Sequence, residues 1–248
     1  MTSSLLLRCA LALALVASSA SAAAASASPA SGGGGGGKKA KAKRVPRTFA
    51  NADDATAALF ASVGKGDLNG VKDALAGGAR INENSIDDKG PSMKKQTPLM
   101  FASLIGETRI AKLLLDKGAD PTIGEADGYT PLHGCAFQGR AETCRMLLSY
   151  TQVPNVAHRD GFHPMHRACW GKTQLFADTV QAFLDFGVSP GLKASSKSGG
   201  ESALEIAKKT GNKATIAVLT NALAAQAKAD AADEAATEAA GDGVGLEL

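Results

Sequence analysis

Residues 97–102 read Thr-Pro-Leu-Met-Phe-Ala, residues 130–135 read Thr-Pro-Leu-His-Gly-Cys, and residues 163–168 read His-Pro-Met-His-Arg-Ala. Each copy begins 33 residues after the one before it. Two looser copies flank them: Ser202-Ala203-Leu204-Glu205-Ile206-Ala207, which begins 39 residues after the third, and Ala58-Leu59-Phe60-Ala61-Ser62 upstream. Pro98, Pro131 and Pro164 suit the first turn of a helix, where the missing N–H costs nothing. Thr97 and Thr130, just before, can accept from the orphan amides of that turn, whereas His163 puts the third cap in doubt. The small residues Ser62, Ala102, Cys135, Ala168 and Ala207 predict close helix packing. A Gly follows four positions later at Gly66, Gly106, Gly139 and Gly211, ready to supply the positive φ of a tight turn, while Gly171 arrives one position early. Second apolar runs follow at Leu68–Leu75, Ile110–Leu115, Cys144–Leu148, Val180–Leu184 and Ile216–Leu219. The pattern predicts five helix pairs. No pair can bury its apolar face alone, so they must stack.

A period of 33 with T-P-L-H-x-A resembles the ankyrin repeat family. The resemblance covers residues 50–222 and implies an all-α solenoid of about five stacked helix pairs with short hairpin or turn fingers. It implies a non-enzymatic module for protein–protein interaction through the concave face and finger loops. His133 and His166 stand in the His place of the motif, where the family's imidazole ties neighbouring loops together. Carried onto this sequence, the family's docking surface contains Leu104, Ile105, Phe137, Gln138 and Trp170 on the first helices, continuing to Lys208 and Lys209. On the finger side it contains Tyr129, Arg159 and Phe162, with Lys94, Lys95 and Asp127 beside them. Aromatic and arginine side chains are the usual energetic anchors of interfaces. Two segments are longer than the repeat allows, Asn82–Gln96 and Lys172–Ala177. They are expected to project as loops, and either could fold back, the first over Leu104 and Ile105, the second over Trp170.

Other chemistry is thinly represented. The chain contains no G-x-S-x-G, no G-x-x-x-x-G-K-[ST], no H-E-x-x-H and no C-x-x-C, so no enzyme and no cofactor are expected. One cluster supports an alternative reading as a metal-binding or redox-sensing protein: His158, His163, His166 and Cys169, since imidazole and thiolate ligate zinc. Cys135, Cys144 and Cys169 are expected to be buried thiols. In an oxidising compartment, Cys135 with Cys169 is the pairing the stacking suggests.

Charge is segregated along the 248 residues. It runs +7 over residues 1–52, +1 over the middle and −5 over 222–248, for a net +3. A near-neutral array between a basic arm and an acidic tail predicts no specific nucleic-acid site. Residues 1–22 read as a secretory signal peptide: a short apolar run from Leu5 to Val16, then Ala20-Ser21-Ala22 as the cleavage motif. Residues 23–49 are a Gly/Ala/Ser-rich and basic linker or transit segment, and 223–248 an Ala-rich acidic tail. These features predict a secreted or secretory-pathway monomer with an unidentified protein partner and no stable membrane insertion once the leader is removed. Plastid import through a two-part leader is the alternative.

Overall fold

The computed structural model describes residues 44–85, 95–151 and 153–241. The expected leader, most of the basic arm, Lys94 with the centre of the Asn82–Gln96 segment, and the last seven residues lie outside these.

The helices come in pairs at the places the repeat assigns: α1 (Ala52–Gly64) with α2 (Leu68–Ala76), α3 (Pro98–Ile105) with α4 (Thr108–Asp116), and α5 (Pro131–Phe137) with α6 (Ala141–Tyr150). Then follow α7 (Pro164–Ala168) with α8 (Gln174–Asp185), and α9 (Ala203–Thr210) with α10 (Lys213–Gly241). First helices pack on first helices, α1 on α3 on α5 on α7 on α9, and second on second. The five small residues that begin the argument are all at most 2% exposed. Leu59, Leu99, Leu132 and Met165 fill the seams above them. Burying each such side chain contributes roughly 1.5–3 kcal/mol.

Local chemistry sets the helix ends. Thr97 Oγ1 accepts from the Met100 N–H at 3.2 Å, Asn51 Oδ1 from Asp54 at 2.8 Å, and Asp67 Oδ1 from Gly70 at 2.9 Å. The doubtful third cap is solved differently: the His163 N–H donates to His166 Nδ1 at 3.2 Å. At the other end of α3, Gly106 turns at φ 87°, and Arg140 of the next pair crosses where a Cβ would stand. Side chains therefore lock each turn to its neighbour.

The segment Lys172–Ala177 is not a loop. Its last four residues form the first turn of α8, and the Phe176 ring lies over Gly171, within 2.2 Å of where a Cβ would be. Gly171 has no left-handed φ; Asn212 secures the connection instead, donating to the carbonyls of Gly171 (3.0 Å) and Thr173 (3.1 Å). Leu175 and Phe176 of this turn pack against Gly139, and Phe176 against Gly171 as well.

The cysteines also differ from expectation. Cys135 is bonded to Cys144, with Cα atoms 5.6 Å apart, and Cys169 is the buried free thiol. Cys144 lies on α6, the helix paired with α5, so the bond forms within one pair rather than between stacked repeats.

Two termini join the array. Arg44 pairs with Asp73, its Nη1 at 2.9 Å, and Arg47 pairs with Asp67 at 2.9 Å, pinning the end of the basic arm to α2. The Ala-rich tail continues α10 without a break, because Ala has the highest helix propensity. From Ala224 to Ala235 all of its residues are exposed.

Candidate partner-docking face

The fingers are tight turns. Glu125 N–H donates to Tyr129 O at 3.0 Å, and His158 N–H to Phe162 O at 2.9 Å, one repeat later. Among the described residues there is no strand, and the single bridge joins Lys193 to Ser202. Each finger is tied to the helix pair before it. His166 accepts at Nδ1, so its protonated Nε2 donates to Leu192 O at 3.1 Å in the next finger. His133 accepts from Thr130 in the same way and turns its Nε2–H toward the Phe162 backbone without closing a full bond. Burial, with the charges of Arg167 and His158, pushes His133 down to about 3, and burial pushes His166 down to about 4. Both imidazoles are neutral struts at pH 7.

Between these fingers the structure places a group that the motif did not announce. Arg167 is 1% exposed, although it occupies the helical position held by Phe101 and Gly134 in the preceding copies. Its guanidinium lies 4.3 Å from the Trp170 ring centroid, 4.7 Å from Tyr129 and 5.2 Å from Phe162. It donates to Asp160 and, at 2.7 Å, to Tyr129 Oη, which itself bonds Asp160 at 3.2 Å. Burial would raise Asp160, but the bonds from Arg167 and His158 outweigh it and hold the carboxylate at about 2. The His158 ring stacks on Tyr129 at 3.8 Å. Tyr129, Phe162 and Trp170 thus share one cation of their own chain.

The eight residues singled out from the sequence divide accordingly. Tyr129, Phe162 and Trp170 gather around Arg167 and remain partly exposed. Phe137 meets Trp170 edge-on at 6.4 Å, extending the cluster along the helices. Leu104 packs against Gly134, where a Cβ would stand 3.2 Å from it; Leu104, Ile105 and Gln138 are partly exposed. Arg159 is exposed at its finger tip. Arg167, Phe162 and Phe137 pack on Trp170. Arg167 and Asp160 were missed; the available signal was a charge standing in a column of uncharged residues.

The alternative metal cluster does not assemble. His158 Nε2 bonds Asp127 O at 2.5 Å, His163 Nδ1 bonds Asn155 O at 2.7 Å, and Cys169 donates to Met165 O at 3.4 Å. Among the described residues no group of three or more His, Cys, Asp or Glu side chains could hold a metal ion. A recess is lined by Leu132, Leu147, Tyr150, Val153 and Val156, with the hydroxyls of Thr122, Thr130 and Thr151 among them.

Residues 55–160 match the family model for ankyrin repeats, in three copies. No curated protein matches the chain.

Proposed function

We propose that this chain, an ankyrin-repeat protein through residues 55–160 with the same stacking carried on to α10, is a non-enzymatic docking module for a protein partner. Ankyrin repeats are as a rule protein–protein interaction modules. The observation that carries the reading is the column of Leu104, Phe137 and Trp170. The three 33-spaced copies each contribute one apolar side chain at the same repeat position, all partly exposed: Leu104 within α3, Phe137 at the end of α5 and Trp170 in the turn after α7. A partner meeting them loses little entropy in ordering the site. Tyr129, Phe162 and the Arg159 tip flank the column from the fingers.

The module works in an oxidising compartment, reached through the secretory route that residues 1–22 encode. The Cys135–Cys144 bond supports this, since such bonds persist outside reducing cytosol. A reporter carrying residues 1–52 that stayed cytosolic would remove this route.

Affinity capture from the native host tests the docking face. The baits are the full chain and the same chain with Leu104→Ala and Phe137→Ala. Trp170 is left alone because it packs on Arg167. With matched helicity and melting, a protein retained only by the unmodified bait is the expected result. Identical capture by both would place the interface elsewhere.

A further inference from the structure

The docking column ends in charge. The fifth copy puts Lys209 where the three 33-spaced copies put Leu104, Phe137 and Trp170. Beside it runs a basic edge that tertiary structure assembles. Asn212 clamps the carbonyls of Gly171 and Thr173, which sets the backbone on either side of Lys172 against the α9–α10 turn, where the Gly211 N–H donates to Lys208 O and Lys213 begins α10. Lys172, Lys208 and Lys213 are exposed and enter no ion pair among the described residues. Three carboxylates of the same elements are bonded within the chain, and only Glu201 among them is paired with a cation. Glu201 pairs with Lys209 at 2.5 Å, Glu205 accepts from Ser202 at 2.7 Å in the cap of α9, and Asp178 accepts from Gln174 at 2.8 Å. The described part of the acidic tail does not fold back over this edge. It continues α10 away from Lys213, and a straight helix puts Asp230 about 25 Å from that residue.

Resting on the docking reading above, we propose that the partner presents an acidic peptide segment: apolar side chains seated on Leu104, Phe137 and Trp170, followed by carboxylates over Lys172, Lys208 and Lys213. The aromatic column supplies desolvated contact area. The basic edge fixes direction, so the segment binds with its acidic end toward α9 and α10. Complementary charge at an interface sets register and speeds encounter more than it adds affinity. Binding therefore weakens with salt but survives it.

The probe is a random peptide library displayed on phage and panned against the full-length chain with its disulfide intact. Two variants are panned in parallel: Lys172→Glu, Lys208→Glu, Lys213→Glu together, and Leu104→Ala with Phe137→Ala. All substituted sites are exposed or partly exposed, and equal melting curves are required first. The expected outcome is selection of peptides with an apolar run followed by Asp or Glu. Triple charge reversal should weaken them about tenfold, the sum of three exposed ion pairs, and the column variant should lose them. Peptides that need the column but show no acidic preference, or that bind the charge-reversed chain equally, would overturn this proposal and leave the docking reading standing. Absence of any column-dependent peptide would overturn both.

Discussion

The guanidinium of Arg167 lies 4.3 Å from the ring of Trp170, and the same guanidinium is bonded to Asp160 in the neighbouring finger. One buried charge thus joins a first helix to two fingers and holds three aromatic rings of the proposed docking face in place. The shape of that face depends on an ion pair that no partner needs to touch.

Breaking the pair from one side should be costly. Asp160→Asn leaves the Arg167 charge buried among aromatic rings, and we expect a loss of about 3 kcal/mol in urea unfolding, the lower end of the range because Asp160 is 32% exposed. Arg167→Met with Asp160→Asn should recover most of it, since the double variant buries no unpaired charge. A double variant no more stable than Asp160→Asn would show that the aromatic rings, rather than the charge pairing, set the cost.

Acid should destabilise the array before the carboxylates titrate. His133 and His166 titrate at about 3 and about 4 in the folded chain and near 6.5 when unfolded. Between those values the unfolded state binds more protons, so stability falls as pH drops. Each imidazole contributes a slope approaching about 1.4 kcal/mol per pH unit below pH 6.5, ending near pH 4 for His166 and pH 3 for His133. Asp160, held at about 2, adds a further loss below the ordinary carboxylate range. Thermal melts between pH 7 and pH 4 should show a declining Tm, and His166→Gln should flatten the decline; an unchanged slope would mean that His166 is not the buried neutral group.

The disulfide closes a short loop between residues nine apart. The chain-entropy relation assigns such a loop about 2–3 kcal/mol. Cys135→Ala with Cys144→Ala should therefore lower stability by that amount plus the cost of any cavity. Peptide mapping without reductant should recover 135 linked to 144. Burial pushes the Cys169 thiol up to about 12, so it should resist alkylation until the chain unfolds. Rapid labelling of Cys169 in the native protein would contradict its burial.

Asn212 should matter more than an ordinary turn residue. Its amide donates to two carbonyls of the α7–α8 connection, while its Oδ1 accepts from Ala214 at 3.1 Å and Thr215 at 3.2 Å. Asn212→Ala removes a helix cap and orphans carbonyls, for an expected loss of about 2 kcal/mol. Hydrogen exchange should quicken at the start of α8 while α3 and α4 stay protected. Uniform loss across all helices would instead indicate that the connection is not a local clamp.

The sequence by itself determined the helix pairs, their 33-residue period, the buried small residues and the stacked architecture. The reason is physical: Thr-Pro caps, turn glycines and apolar spacing act within one or two helical turns, so local patterns specify them. It also predicted the column of Leu104, Phe137 and Trp170, because a repeat puts equivalent residues at equivalent positions. Only the tertiary structure decided what fills the gaps between copies. Arg167 finding Asp160, Cys135 choosing Cys144 over Cys169, Phe176 covering Gly171 and Asn212 clamping the backbone on either side of Lys172 all depend on distances between groups of different elements. Those distances are set by how each pair settles on its neighbour, and residue spacing along the chain does not encode them one pair at a time.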